Sequence, residues 1–332
     1  MSFAHDVKIE VISNKIESEC CKLAFLSSVI HSCGELTKSG NDFFLELKTD
    51  IYEIFDIIND SLGTLYGLKA NIREDVENNV AKQKRYVITL PKHITTQIMF
   101  DCGIAKHSLN NEFTLIHGID EHIVENDCCA KTYIKGVIST ASTSSIKIND
   151  NPSQVDRKFS GYHWEFVFSS EEFADDFSTL LFSQNIPNKK SKRKNLWVLY
   201  IKESEVVSDL LATVGAFKGL LKLQNEIAIR EVRNNVNRQN NCMNANISKT
   251  VNASLRQISA INKIKNTIGF DKLPINLRQL CLLRIANPEE SLENLTKLLP
   301  NNITKSGINH QFRRIIKIAE NIDNKKQRNK KN

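Results

Sequence analysis

The sequence predicts an α+β protein: a duplicated helix-and-strand unit in the N-terminal half, then an all-α C-terminal domain. Three observations predict it. The stretch CCKLAFLSSVIHSCGE (Cys20–Glu35) is echoed by CCAKTYIKGVISTAST (Cys128–Thr143) at a constant offset of 108, with Phe25 matching Tyr133, Leu26 matching Ile134, and Val29-Ile30 matching Val137-Ile138. Segments of strand period follow each echo. Beyond Lys218 the apolar pattern is helical and the charge changes sign: residues 1–217 hold 23 Lys+Arg against 30 Asp+Glu, and residues 218–332 hold 22 against 8.

Each echo is a helix. Cys21, Phe25, Leu26, Val29 and Ile30 recur on one face at helical spacing. A turn at 38–42 leads to the strand FFLEL (Phe43–Leu47), the amphipathic helix IYEIFDIINDSL (Ile51–Leu62) and the strand RYVITL (Arg85–Leu90). The second unit keeps this order. Its strand HWEFVFS (His163–Ser169) sets Trp164, Phe166 and Phe168 against a more polar face. The helix EEFADDFSTLLFS (Glu171–Ser183), the strand LWVLYIK (Leu196–Lys202) and a helix near Val206–Leu211 come next. Two such units imply pseudo-twofold symmetry with the two echo helices packed at its centre. Ser28 and Gly136, at equivalent positions, allow a close backbone approach.

No segment approaches 18 uninterrupted apolar residues, so no membrane span is expected. The opening MSFAHDVKIE has no apolar leader core. A cytoplasmic chain with reduced thiols is the expectation. Adjacent cysteines on a helix point about 100° apart, so neither Cys20-Cys21 nor Cys128-Cys129 is expected to grip one ion. The eight cysteines are expected as small buried hydrophobes, with no metal site. His31, His107, His117 and His122 have no ligand spacing.

Between the second-unit helix and LWVLYIK lies a loop with five cations in seven residues, Asn188 to Lys194. Lys189, Lys190, Lys192, Arg193 and Lys194 could attract phosphate there, or simply solvate a hairpin turn. A linker helix is read over about 214–229. Further on, Val251, Leu255, Ile258 and Ile261 form an apolar stripe. LPINLRQLCLLRIAN (Leu273–Asn287) is one helix. Asn287, Pro288 and Glu290 then read as a capped start of the helix PEESLENLTKLL. The last helix, Ile303–Ile322, buries Ile308, Phe312, Ile315 and Ala319 and sets Ser306, Asn309, Arg313 and Lys317 along another face, flanked by Lys305, His310 and Arg314. A short helix, a tight turn and a longer basic helix make a helix-turn-helix over about 288–321. Its second helix is of the kind that enters the major groove. A plain three-helix bundle with a polar outer face is the alternative.

The helices Leu26–Gly34 and Ile134–Ser142 resemble the LAGLIDADG helices of homing endonucleases. With Asn237-Arg238, Asn241-Cys242, Ala245-Asn246, Lys249-Thr250-Val251 and Lys305 to His310, the whole chain resembles the WhiA family of sporulation and cell-division regulators. That resemblance implies a degenerate LAGLIDADG domain joined to a helix-turn-helix domain, and extends possible DNA contact to Arg238 and Lys249. The eighth motif position, acidic in the nucleases, is Cys33 in the first helix and Ala141 in the second. Glu35 has only Thr143 as its counterpart. A lone carboxylate makes no symmetric metal clamp, so no catalytic residue is expected. The small-residue run of the family is Ser32-Cys33-Gly34 and Thr140-Ala141-Ser142 here.

The resulting division places a duplicated domain at 1–212 (repeats about 1–105 and 106–212), a linker at 213–250, a helix-turn-helix domain at 251–325 and a basic tail at 326–332. The expected function is sequence-specific DNA binding in transcriptional control of cell division, chromosome segregation or sporulation. The expected partner is double-stranded DNA, with RNA polymerase or another transcription factor as a second, and with no cofactor, membrane or small-molecule substrate. The rivals are an active LAGLIDADG endonuclease and a protein-interaction adaptor.

Overall fold

The computed structural model describes residues 2–39, 42–74, 85–107, 113–148, 161–299 and 303–328. The chain forms two compact units, Met1–Arg230 and Glu231–Asn332. In the first unit α1 (Phe3–Ser13) precedes α2 (Glu19–Cys33). Then come β1 (Gly34–Ser39), β2 (Asp42–Thr49), α3 (Ile54–Tyr66), β3 (Asn71–Glu74), β4 (Tyr86–Thr89), α4 (Thr95–Asp101) and a small ribbon of β5 (Ala105–His107) and β6 (Phe113–Leu115). The second half of the unit runs α5 (Asp127–Ala141), β7 (Ser142–Ser144), β8 (Trp164–Phe168), α6 (Glu171–Ser183), β9 (Lys189–Arg193), β10 (Leu196–Ile201) and α7 (Ser204–Thr213).

The duplication is plain in the topology. Both four-stranded sheets are antiparallel and share one order: β1-β2-β4-β3 in the first, β7-β8-β10-β9 in the second. Each sheet packs its apolar face on its own core. Leu45, Leu47, Ile54, Ile58 and Ile88 line the first, and Trp164, Phe166, Phe173, Phe177 and Leu199 line the second. The alternation read in β8 holds, with Trp164, Phe166 and Phe168 buried.

The helices α2 and α5 lie against each other and join the two cores. Their paired positions meet at the same 108-residue offset along their length, so they run side by side in the same direction. Ser32 Oγ and Thr140 Oγ1 are 2.6 Å apart. Gly136 faces Ser28 so closely that a Cβ there would stand 1.8 Å from Ser28 Oγ, 3.0 Å from its Cβ and 3.2 Å from the Phe25 carbonyl oxygen. Ser28 Oγ itself donates to that carbonyl at 2.7 Å. His31 of α2 reaches into the second repeat: Nδ1 meets the Tyr133 hydroxyl at 3.0 Å, and the ring stacks on Phe173 with centroids 5.1 Å apart. Burial lowers its pKa to about 4, so this imidazole is neutral at physiological pH.

Each central helix passes straight into a strand, and the two repeats make that junction differently. At Gly34 a Cβ would lie 2.4 Å from the Ile30 carbonyl oxygen. At the equivalent Ser142 the hydroxyl donates to the Ile138 carbonyl at 2.7 Å. Glycine avoids the carbonyl, whereas serine bonds it.

Several expectations are corrected. The basic stretch 188–194 is not a loop. Lys189–Arg193 is the edge strand β9, and the turn falls at Lys194 and Asn195, with Lys194 at φ 54. The cysteines divide: Cys21, Cys102, Cys129 and Cys281 are buried, but Cys20, Cys128 and Cys242 are exposed. The helix read over about 214–229 is the start of a longer one, α8, which runs unbroken over Phe217–Thr267. Its first turns belong to the N-terminal unit, where Arg230 pairs with Glu226 at 2.8 Å, donates to the Lys147 carbonyl and lies over the Tyr162 ring. Residues 234–253 are exposed on every side.

The second unit adds α9 (Ile275–Ala286), α10 (Leu292–Lys297) and α11 (Lys305–Arg328). Its core holds Ala260, Ile261, Ile264, Leu277, Leu280, Cys281, Leu295, Ile308, Phe312, Ile315 and Ala319. The stripe read at Val251 and Leu255 is wrong. Both are at least half exposed, and the buried positions are Ser254 and Gln257, which satisfy polar groups of neighbouring segments. The helix read from Pro288 starts later. Ser291, not Asn287, caps α10, accepting from the Asn294 amide at 3.1 Å.

The close approach carries a direct test. Gly136→Ala should destabilise the chain by about 1–3 kcal/mol through overpacking. Ser28→Ala in the same chain should recover part of that loss, as urea unfolding would show.

Candidate nucleic-acid interface

The second unit presents its most basic described surface on α11. Thr304 starts this helix by accepting from the Gly307 amide at 3.2 Å. A Cβ at Gly307 would lie 2.9 Å from Ile303 Cγ2, so a larger residue there would displace that methyl. Ile308, Phe312, Ile315 and Ala319 face the core as expected from the sequence. That fixes the opposite face: Lys305, Ser306, His310, Arg313, Arg314 and Lys317 are exposed, and Asn309 is half-buried. Among them Lys305 has a loose partner, Glu293, at 3.8 Å, with both side chains solvated. Such a pair stabilises little, so Lys305 remains available.

A groove runs between α11 and the C-terminal part of α8. Lys249, Asn252 and Arg256 line one wall, and Asn309, Arg313 and Ile316 line the other. Lys249 therefore joins the α11 residues in one groove. Arg256 stands with them, although nothing in its local pattern singles it out. Arg238 does not join them in this groove. It lies further back on α8, where Nη2 donates to Asn235 Oδ1 at 2.9 Å.

What holds this surface is a buried arginine. Arg284 of α9 is 1% exposed. Its Nη1 donates to the Glu290 carbonyl at 2.6 Å and to the Asn287 carbonyl at 3.3 Å, and Nε donates to Gln257 Oε1 at 2.8 Å. The guanidinium lies over Phe312, 5.4 Å from the ring centroid. One planar fork thus ties α8, α9, the turn before α10 and α11 together. Arg284 was unrecognised in the sequence because a lone Arg in LRQLCLLRIAN reads as a solvated position.

The edge strand β9 is less free than its composition suggests. Arg193 makes a two-pronged bond to Glu165 at 2.6 and 3.0 Å, and Lys190 pairs with Asp175 and Glu171. Lys192 lies over Trp197, 4.6 Å from the ring centroid. Lys189 and Lys194 have no ion-pair partner among the described residues. Of the tail, residues 329–332 lie outside the described residues.

In the first unit a cleft opens where the two central helices end. Cys33 and Ala141 stand at these ends, with Lys8, Glu35, Lys48 and Asp50 around them. Burial pushes the Cys33 thiol up to about 12, and its Sγ bonds the Val29 carbonyl at 3.2 Å, so it stays protonated. Glu35 is held by Lys48 at 2.6 Å. Burial lowers the pKa of the Lys8 ammonium, an effect that Asp50 opposes. The helix ends therefore offer a neutral thiol and a methyl group where a hard cation needs oxygen.

Three family models match the chain: the WhiA N-terminal LAGLIDADG-like domain over residues 19–105, the WhiA LAGLIDADG-like domain over 154–233 and the WhiA C-terminal HTH domain over 236–319. A protein of Clostridium botulinum named probable cell division protein WhiA is 37% identical over 323 residues, covering 97% of this chain and 99% of its own. The protein of that name from Clostridium acetobutylicum is 36% identical, covering 97% and 98%. The crystal structure of full-length WhiA from Thermatoga maritima superimposes with a TM-score of 0.56 at 23% identity over 97% of this chain and 99% of that one, which shows the shared fold. No helix is long and apolar enough to cross a membrane among the described residues.

Replacing Arg284 by Met should leave the Glu290 carbonyl and Gln257 unpaired in the core. The expected cost is about 2–4 kcal/mol. Thermal unfolding followed by hydrogen exchange should show protection lost in α9–α11 first and α2 and α5 spared.

Proposed function

The chain belongs to the WhiA family, and from that premise we propose that it is a sequence-specific DNA-binding regulator of transcription acting in cell division. The observation that carries this reading is the exposed face of α11, where Ser306, Asn309, Arg313 and Lys317 follow one another over the buried stripe of Ile308, Phe312 and Ile315. Asn309 and Arg313 can bond adenine and guanine edges in a major groove. Lys305, Arg314, Lys317 and Lys249 neutralise phosphates and set the register. His310, exposed in the same stretch, completes the leading end of the helix. The charge of residues 218–332, 22 Lys+Arg against 8 Asp+Glu, supplies the long-range attraction. On β9 and the turn after it, Lys189, Lys192 and Lys194 are secondary phosphate contacts, while Lys190 and Arg193 are engaged with carboxylates.

The N-terminal unit acts in this reading as a scaffold without chemistry of its own. The cleft at Cys33 and Ala141 supports that, since metal-assisted phosphodiester cleavage needs carboxylates at the helix ends. The link to cell division comes from the names of the clostridial relatives.

Binding selection from random duplexes should recover one motif with the unaltered chain. Asn309→Ala and Arg313→Ala should each lose about 1–3 kcal/mol of discrimination at one base pair. Lys317→Gln should weaken all duplexes alike and lower the salt slope by about 1. Variants that bind the selected duplex like the parent would overturn the assignment of α11 as the reading helix.

A further inference from the structure

The packing of α2 against α5 does something that neither cysteine pair shows by itself. Cys20 and Cys21 are the second and third residues of α2, and Cys128 and Cys129 hold the same places in α5. Because the helices run side by side in the same direction, both pairs arrive at one end of the pseudo-dyad. All four Sγ atoms lie within 4.8 Å of one another, and Cys128 Sγ and Cys129 Sγ are 3.9 Å apart. One sulfur of each pair is buried and the other is exposed. The expectation that adjacent cysteines diverge considered one helix at a time. The second helix supplies the other half of the set.

We propose that Cys20, Cys21, Cys128 and Cys129 form a four-thiolate site for a single thiophilic divalent cation of the zinc class, clipping together the N-terminal ends of α2 and α5. The dimensions support one ion. A tetrahedral zinc with bonds of about 2.3 Å spaces its sulfurs about 3.8 Å apart, so the observed set need contract by no more than about 1 Å. An iron–sulfur cluster, whose four thiolates are spread over two or four iron atoms, requires a wider cage. Four sulfur donors select a soft or borderline metal over Mg²⁺ or Ca²⁺.

The surroundings suit thiolates. Both helix N-termini carry partial positive charge. Neither N-cap side chain, Ser18 or Asn126, bonds an amide of its own helix. Ser18 Oγ instead meets Cys20 Sγ at 3.5 Å. Binding breaks no bond in the backbone and moves no electrons. Each ligating thiol gives its proton to solvent as its Sγ–metal bond forms. Four protein ligands leave no open position, so the site is structural rather than catalytic.

The test uses the full-length chain, purified reduced and stripped of metal with a chelator, then titrated with Co²⁺ and afterwards Zn²⁺. One Co²⁺ per chain should bind with the thiolate-to-cobalt charge-transfer absorption of a tetrahedral sulfur site, and Zn²⁺ should displace it and raise the Tm. The double variant Cys20→Ser, Cys128→Ser removes the two exposed sulfurs and should bind at least about 100-fold more weakly. Cys242→Ser, exposed on α8, should bind like the parent. The proposal is overturned if the folded, reduced parent shows no cobalt–thiolate absorption, or if the double variant binds as tightly as the parent. It is equally overturned if intact mass shows these cysteines paired as disulfides in metal-free protein from zinc-replete cells. The charge-transfer band of the unaltered chain decides the matter even where a variant fails to fold.

Discussion

The close approach of α2 and α5 is the constraint on which the rest of the N-terminal unit depends. At Ser28 and Gly136 the backbones come near enough that only glycine fits on one side. Everything at the equivalent offset follows from that contact. Ser32 meets Thr140, His31 settles between Tyr133 and Phe173, and the four cysteines gather at the other end. Two sheets of identical order then fold away from the shared helix pair, each with its own core. Tight packing of this kind leaves little room for adjustment. It also explains why each helix turns directly into a strand, by glycine in one repeat and by a hydroxyl-to-carbonyl bond in the other.

The same helix pair, in a nuclease, would place acids over a cleavage site. Here the helix ends carry Cys33 and Ala141, and Glu35, two residues beyond Cys33, is paired with Lys48. Charge has moved to the other end of the chain, where Arg284 locks α8, α9 and α11 so that α11 presents a solvated cationic face. In the proposed function the first unit is scaffold and the second reads DNA.

Legibility in the sequence followed the strength of the local signal. The helix Glu171–Ser183 was readable to the residue because its apolar period and its Ser170 cap agree. The stripe Ile308, Phe312, Ile315 and Ala319 was readable for the same reason, and with it the exposed face. The short elements β1, β3, β5, β6 and α4 carry too few periodic positions and went unread, and α1 was missed although Phe3, Val7 and Val11 recur at helical spacing. The strand β9 was taken for a loop because KKSKR has no apolar alternation. It is held by pairing with β10 and by lysines lying over Trp197. Polar burial misled most: Arg284 bonds Gln257, and Ser254 and Arg284 bond nearby carbonyls, a tertiary arrangement that no periodicity announces. The cysteine set was hidden for a like reason, since its halves are 108 residues apart.

Photo-crosslinking tests the central division of labour most directly. A photoreactive side chain is placed at His310 on α11 in one full-length protein and at Glu35 beside the N-terminal cleft in another, and each is irradiated with the selected duplex. The account predicts efficient crosslinks from position 310 that map to bases within the motif, and none above background from position 35. Crosslinks to DNA from position 35 with none from 310 would contradict it, and would return the reading of DNA to the helix pair at the centre of the first unit.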